Sequence, residues 1–403
     1  MKTIDLKKKL EVLISCAGLA ICSLGLIINV NGVFFKPLAK ALGVGIGTVS
    51  ITSTLTTLAT GLASVYALKI IKIKDFRRVL LLSLSITVAS TIGIALCKDL
   101  FTVYVLSIIR GIASCFFNTP VVTMIIGNWF ISKRGTYSGV VMAFSGFGGA
   151  LMSPILSNII ERADYRVAML VCAAAMVLVS LPALFLLKAS PQEEGYLPFD
   201  DGRQETERKT GSGQQNYSIG SHLFIRLMVV AFLCQSICSI AQHLSGYGES
   251  LGLSSSQGAF MISVAMIGNI SGKFLVGFMA DRIGEIRSGI VLVSGFLFGL
   301  LLLVFGKSYI LLLIGSLFLG TSYASAVMLS NVTFAIYGNR QYGDAYAMLT
   351  LIINIGGAIA VALIGYAYDL SGSYKAILLT AILMCLIVLV SFLKIKKEVK
   401  NDL

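Results

Sequence analysis

Apolar residues run through this chain in long blocks, and polar residues collect between the blocks rather than alternating with them. Twelve blocks are centred approximately on residues 23, 57, 88, 113, 148, 177, 232, 268, 297, 322, 354 and 384. A helix needs roughly 20 apolar residues to cross the hydrocarbon core of a bilayer. Lipid offers no partner to an unpaired backbone group, so each block is predicted to be a helix. The pattern therefore predicts an all-α integral membrane fold of twelve transmembrane helices. Between Lys188 and Ser221 it breaks down into Pro, Glu, Gly, Gln and Ser with both signs of charge. That segment is expected to be a cytoplasmic linker between two six-helix bundles, residues 1–187 and 222–403, as in transporters built from two similar halves.

Composition agrees with this pattern. Of 403 residues 56% are hydrophobic and 13% charged, with a mean hydropathy of +0.88, whereas soluble domains are about 25% charged. A net charge of +13 raises the question of nucleic acid, but the cations lack the interleaved aromatics of a nucleic-acid face. With the N-terminus inside, 23 of the 32 Lys and Arg fall in inside segments and seven in outside segments. This asymmetry predicts a cell-membrane protein with both termini cytoplasmic and anionic headgroups of the lipid bilayer as partners. The basic start and apolar run of residues 1–26 resemble a secretory signal, but no small-residue cleavage pattern closes them, so they read as the uncleaved first span. Seven of the eight cysteines fall within spans and Cys97 at a span end, where they serve as small hydrophobes. No cofactor or metal is implied, because no second ligand pair accompanies Cys234 and Cys238. An enzyme is disfavoured, since His222 and His243 sit in no nucleophile or metal constellation.

The two remaining cations carry the chemistry. Arg110 in the fourth span and Lys273 in the eighth are embedded, while every Asp and Glu falls in a loop, a tail or a span end. Ionisable groups at bilayer depth are costly and mark a functional site by default. Two embedded cations without embedded acids predict an anionic guest; the simpler readings are that Lys273 snorkels toward the cytoplasmic end and that Arg110 braces its helix through neighbouring carbonyls. Asn269 lies one turn from Lys273 and shares its face, and Ser114 and Asn118 are expected on the stripe of Arg110. Further polar stripes could complete the cavity: Gln235, Ser239 and Gln242 or His243 in the seventh span, Tyr323 in the tenth, and Tyr346, Thr350 and Asn354 in the eleventh. Each of these also has a simpler reading as a hydrogen bond between helices.

An internal repeat is visible. Lys133-Arg134 and Asn339-Arg340 stand 206 residues apart, and Gly148-Gly149-Ala150 and Gly356-Gly357-Ala358 stand 208 apart. Gly139, Ala143 and Gly146 are expected to form a small-residue packing face on the fifth span. After the eighth span the chain reads Gly277-Phe-Met-Ala-Asp281-Arg282-Ile-Gly284. This resembles the signature loop of the major facilitator superfamily, in which the first glycine permits close helix contact, Asp and Arg form an ion lock and the last glycine permits a tight turn. The corresponding first-half loop keeps only Asp75-Phe-Arg77-Arg78, beside Lys72 and Lys74, which puts its gating role in doubt.

Trp129-Phe130-Ile-Ser-Lys133-Arg134-Gly135-Thr-Tyr137-Ser-Gly139 resembles the monocarboxylate transporter and oxalate/formate antiporter families. The segments from Asn31 to Leu38, Tyr165-Arg166, and from Pro191 through Gly195 to Pro198 agree with that likeness. The resemblance implies alternating access by two rocking halves around a midplane site, with Lys273 at the place of the cation that meets the substrate carboxylate. It also places Asn269, Asn29 and Asn354 where relatives carry an acid, a first-span lysine and an eleventh-span cation. These departures favour a small organic anion with one carboxylate over two. They also leave the coupling partner, a proton or a counter-anion, without its usual carrier. A transporter of a neutral drug or sugar and a non-transporting sensor are the rival readings.

Overall fold

The computed structural model describes residues 6–73, 75–131, 134–200 and 217–401. Among these residues twelve helices are long and apolar enough to cross a membrane. In chain order, spans 1 to 6 are Leu6–Asn29, Ile46–Ser64, Phe76–Leu96, Leu100–Trp129, Thr136–Arg162 and Tyr165–Leu186. Spans 7 to 12 are His222–Ser250, Ser255–Ile283, Glu285–Phe305, Tyr309–Gly338, Gln341–Ser371 and Lys375–Val399. Large apolar side chains such as Leu82, Leu178, Phe298 and Leu383 are exposed. Such a surface suits hydrocarbon and would be a liability in water. The chain divides into two compact units, one of Met1–Val44 with Thr48–Thr206 and one of Gly45–Gly47 with Glu207–Leu403.

In the first unit, span starts are fixed by short polar caps. Asp75 accepts from the Arg77 amide at 3.0 Å and Asp99 from the Thr102 amide at 2.8 Å, each satisfying a donor that the helix itself leaves open. The exposed Asp99 carboxyl is held below the usual aspartate range by these hydrogen bonds from Thr102. Span 1 changes to π-helix over Ile21–Asn29, and a further helix, Asn31–Leu42, follows and ends at left-handed Gly43. Span 4 is not one continuous helix. It runs over Leu100–Ser114, tightens to a 3₁₀ turn at Cys115–Phe117, and restarts at Thr119 with Asn118 as cap and Pro120 in the first turn. Asn118 therefore leaves the stripe of Arg110, because its side chain is spent capping the Thr119 amide at 2.7 Å.

The small-residue face expected on span 5 is buried at Ala143 and Gly146 and open at Gly139. A Cβ at Gly139 would meet nothing within 4 Å. Close approach occurs lower down, where a Cβ on Gly25 would stand 3.4 Å from Gly148 Cα and 3.1 Å from the Ser145 carbonyl oxygen. The first part of the expected linker is seated on this unit. Pro191–Glu194 forms a 3₁₀ turn, and Phe199 exchanges backbone hydrogen bonds with Trp129 and Ile131 at 2.8 and 2.9 Å. Trp129 Nε1 donates to the Lys188 carbonyl at 2.9 Å, and Lys8 pairs with Glu194.

The second unit repeats the break. Span 10 runs as α-helix from Tyr309 to Gly320 and then makes a 3₁₀ turn, Thr321–Ala324. Thr321 lies 206 residues after Cys115, the offset that separates Lys133 from Asn339. Span 7 likewise passes through a 3₁₀ turn at Ile240–His243. Spans 8 and 10 cross with almost no side chain between them. A Cβ on Gly320 would overlap the Ala265 backbone, and one on Gly272 would stand 2.9 Å from Thr321 Cα. Span 8 opens with a capping box between Ser254 and Gln257.

Candidate functional site

The crossing of spans 8 and 10 sets the surroundings of Lys273. Because Gly272 lies against Thr321, the next residue, Lys273, stands beside the 3₁₀ turn that carries Ser322 and Tyr323. Lys273 and Tyr323 both interact electrostatically with the Cys238 thiol of span 7, and Ser322 lies next to the same sulfur. Three spans thus converge on one polar spot. Asn269, one turn away, is 1% exposed, and its Oδ1 has no hydrogen-bond partner. The Tyr323 hydroxyl is buried and equally unpartnered. Among the described residues Lys273 makes no hydrogen bond and no ion pair. A cation, an amide oxygen and a phenol hydroxyl are thus left with bonding capacity to spare, a combination that suits a guest with both acceptor and donor oxygens.

The polar stripe of span 7 mostly faces span 11 of the same unit. Ser239 Oγ donates to the Gly357 carbonyl at 3.2 Å, and His243 Nε2 meets the Val361 carbonyl at 3.0 Å. Gln235 packs its Cγ against Gly357, 3.0 Å from where a Cβ would sit. The second Gly of Gly356-Gly357-Ala358 therefore leaves room for Gln235. On span 11, Tyr346 donates to the Ala326 carbonyl at 3.0 Å and stacks on Tyr342, while Thr350 bonds back to the Tyr346 carbonyl at 2.8 Å. Asn354 is half-buried and makes no hydrogen bond among the described residues. Seam contacts thus engage His243 and Tyr346, whereas Lys273, Asn269, Tyr323 and Asn354 keep polar atoms available.

Arg110 belongs to the first unit and has different surroundings. It is 5% exposed, its Nη2 donates to Thr56 Oγ1 at 3.3 Å, and its Nε has no partner. Thr52, Thr56 and Thr60 recur at helical spacing along span 2, and Thr60 bonds the Gly111 carbonyl at 2.9 Å and Ser114 Oγ at 3.0 Å. This threonine ladder, legible in the sequence as one stripe, was not among the expected site residues. Asn29 is 3% exposed and donates from Nδ2 to the Ser145 carbonyl of span 5 at 3.1 Å. Its amide nitrogen is thus engaged in a brace between helices.

The signature loop differs from expectation in two respects. A Cβ at Gly277 would meet nothing within 4 Å, so the close helix contact falls at Gly272, more than a turn earlier. Asp281 and Arg282 are exposed and form no ion pair among the described residues; Arg282 instead lies over the Phe278 ring at 4.2 Å. Neighbours on a helix point about 100° apart, which keeps the two charges from meeting each other directly. Gly284 does turn the chain, with φ +87°. The first-half loop that departs from the pattern makes more contacts: Arg78 pairs with Asp75 at 3.7 Å, and Arg77 reaches Glu194 at 3.9 Å and the Phe185 carbonyl at 2.7 Å. Lys133 and the side chain of Arg134 lie outside the described residues.

Twelve apolar spans in two units, with a structural break repeated at an offset of 206 residues, define a multi-pass membrane protein of internally duplicated type. The model of the Major Facilitator Superfamily matches residues 17–247 and 224–402. The chain belongs to that superfamily. Monocarboxylate transporter 12 of Rattus norvegicus is 26% identical over 325 residues, 72% of this chain and 65% of that protein. The probable transporter MCH2 of Saccharomyces cerevisiae is 26% identical over 187 residues, 46% of this chain and 37% of that one. The probable sulfoacetate transporter SauU of Cupriavidus necator is 25% identical over 278 residues, 63% of each chain. The chain thus spans between 37% and 65% of the length of these relatives. Among solved structures, the nucleoside transporter NupG superposes with a TM-score of 0.73 at 12% identity, covering 97% of this chain and 100% of that one. A bacterial homologue of the human lysosomal transporter Spinster gives 0.68 at 14% identity, covering 99% of each chain. At such identities these structures share the fold alone.

Proposed function

We propose that this protein carries a small organic anion, most simply a monocarboxylate, across the cell membrane by alternating access, with both termini cytoplasmic. The observation that carries the reading is Lys273, an embedded ammonium with no carboxylate partner among the described residues, beside Asn269 and Tyr323, whose buried oxygens are unbonded. A guest carboxylate accepts from the ammonium and from the Tyr323 hydroxyl, and a hydroxyl or protonated group on the guest donates to Asn269 Oδ1. A lysine is a point charge without the planar fork of arginine, so it suits a single carboxylate oxygen better than bidentate capture. Asn354 adds an uncharged polar group where a dicarboxylate would want a second cation. The relatives named for monocarboxylates and for sulfoacetate, small organic acids, support the class.

Exchange against a second anion, or facilitated diffusion, fits this site better than proton symport, because the place one turn before Lys273 holds Asn269 rather than an acid. The test is uptake of labelled lactate into proteoliposomes containing the purified full chain, with formate, oxalate and uridine as competitors. Saturable lactate uptake, reduced by formate and untouched by uridine, is the expected result. Uptake of uridine without lactate uptake would sink the anion reading while leaving the transporter fold intact.

A further inference from the structure

The first unit holds a cavity of about 20 Å³ lined by Arg110, Asn31, Thr52, Phe34, Val49 and Met169, among others. Its inner part is room for one or two guests the size of a water molecule, and the recess is partly open. None of the lining residues is acidic. Thr52 already donates to the Val49 carbonyl at 2.7 Å, and Asn31 Nδ2 already donates to Ser53 Oγ at 2.8 Å. Arg110 is therefore the wall's charged donor, with more of its donors unused than any other lining side chain. Its side chain is 5% exposed, only Nη2 is bonded among the described residues, and Nε is buried without a partner.

We infer that this cavity is a second anion site, separate from Lys273, that holds a single halide-sized inorganic anion such as chloride against the Arg110 guanidinium. The small inner volume suits a monatomic guest, and the charge selects its sign. Water alone would accept hydrogen bonds but would leave the buried positive charge uncompensated, and a charge taken out of water without a counter-charge is strongly disfavoured. A chloride supplies both the acceptor and the counter-charge. The resulting ion pair would tie span 4 to the helix Asn31–Leu42 and to span 2, the elements that contribute Arg110, Asn31 and Thr52. This site does not depend on the reading of Lys273, and the two stand or fall separately.

The experiment is thermal unfolding of the purified full chain in detergent, with sodium chloride titrated against sodium gluconate at constant ionic strength. A ligand that binds only the native state raises its apparent stability, so chloride should raise the midpoint saturably by a few degrees. The rise should survive in Lys273→Gln, vanish in Arg110→Gln and persist in the presence of lactate. No chloride-specific rise in the wild type, an undiminished rise in Arg110→Gln, or its loss on adding lactate would each overturn the proposal. If Arg110→Gln does not fold, bromide-soaked crystals of the wild type provide the decision. An anomalous peak beside the guanidinium is expected, and its absence would overturn the assignment.

Discussion

Replacing Lys273 by Gln removes one positive charge while keeping a polar side chain that can donate a hydrogen bond. At an effective dielectric constant of about 20, a carboxylate about 4 Å from the ammonium gains about 4 kcal/mol. A neutral glutamine donor in the same place returns about 1 kcal/mol. The difference, about 3 kcal/mol, corresponds to a loss of affinity on the order of 100-fold. Lys273 has no carboxylate partner among the described residues, so the substitution strands no acid and should leave folding intact. The assay pairs lactate binding, read as the ligand-induced rise in thermal midpoint, with lactate uptake in proteoliposomes. Lys273→Gln should need on the order of 100-fold more lactate for the same rise, and its uptake at low lactate should fall accordingly. Lys273→Arg keeps the charge and should retain most of both. A folded Lys273→Gln protein with wild-type affinity and uptake would refute the electrostatic reasoning and return this lysine to a structural role.

Gly320→Ala places a Cβ against the Ala265 backbone, where the rigid crossing of spans 8 and 10 has no side chain to yield; thermal unfolding should show a loss of about 1 to 3 kcal/mol, and an unchanged midpoint would mean the spans separate freely. Gly284→Ala forces a side chain onto φ +87°, and the strain should cost about 1 to 3 kcal/mol by the same measurement. Asp99 is held below the usual aspartate range by hydrogen bonds from Thr102, so its ionised cap stabilises the fold above the ordinary pKa of about 3.9 and fades as pH falls through the lower folded value. Asp99→Asn should therefore match the wild type at neutral pH and lose less of its stability on acidification; an identical acid profile would remove Asp99 from that account.

Much of the fold was legible in the chain because bilayer physics is restrictive. A block of about 20 apolar residues has one stable backbone solution in hydrocarbon, so the twelve spans could be counted before any contact was known. The two embedded cations stood out for the same reason, since a charge at that depth is costly unless it is paired or hydrated and the spans supply no acid. The offset of 206 residues between Lys133 and Asn339 anticipated a repeat that the 3₁₀ breaks at Cys115 and Thr321 share.

What the chain alone did not decide was how each polar residue is occupied. Asn29 and Asn269 are the same residue type in similar apolar surroundings, yet one donates to the Ser145 carbonyl and the other keeps an unbonded Oδ1. Asn118 continues the spacing of Arg110 in the sequence, but the helix breaks before it and its side chain caps the restart. The close crossing was expected at Gly277, and Gly272 makes it because that is where Thr321 passes. Hydrophobicity is a sum over many residues and survives local error, whereas a hydrogen bond is a matter of a few tenths of an ångström between residues far apart in the chain. The amino-acid order therefore settled the spans and the sign of the charge, and the packing of one helix on another settled which polar atoms are left for a guest.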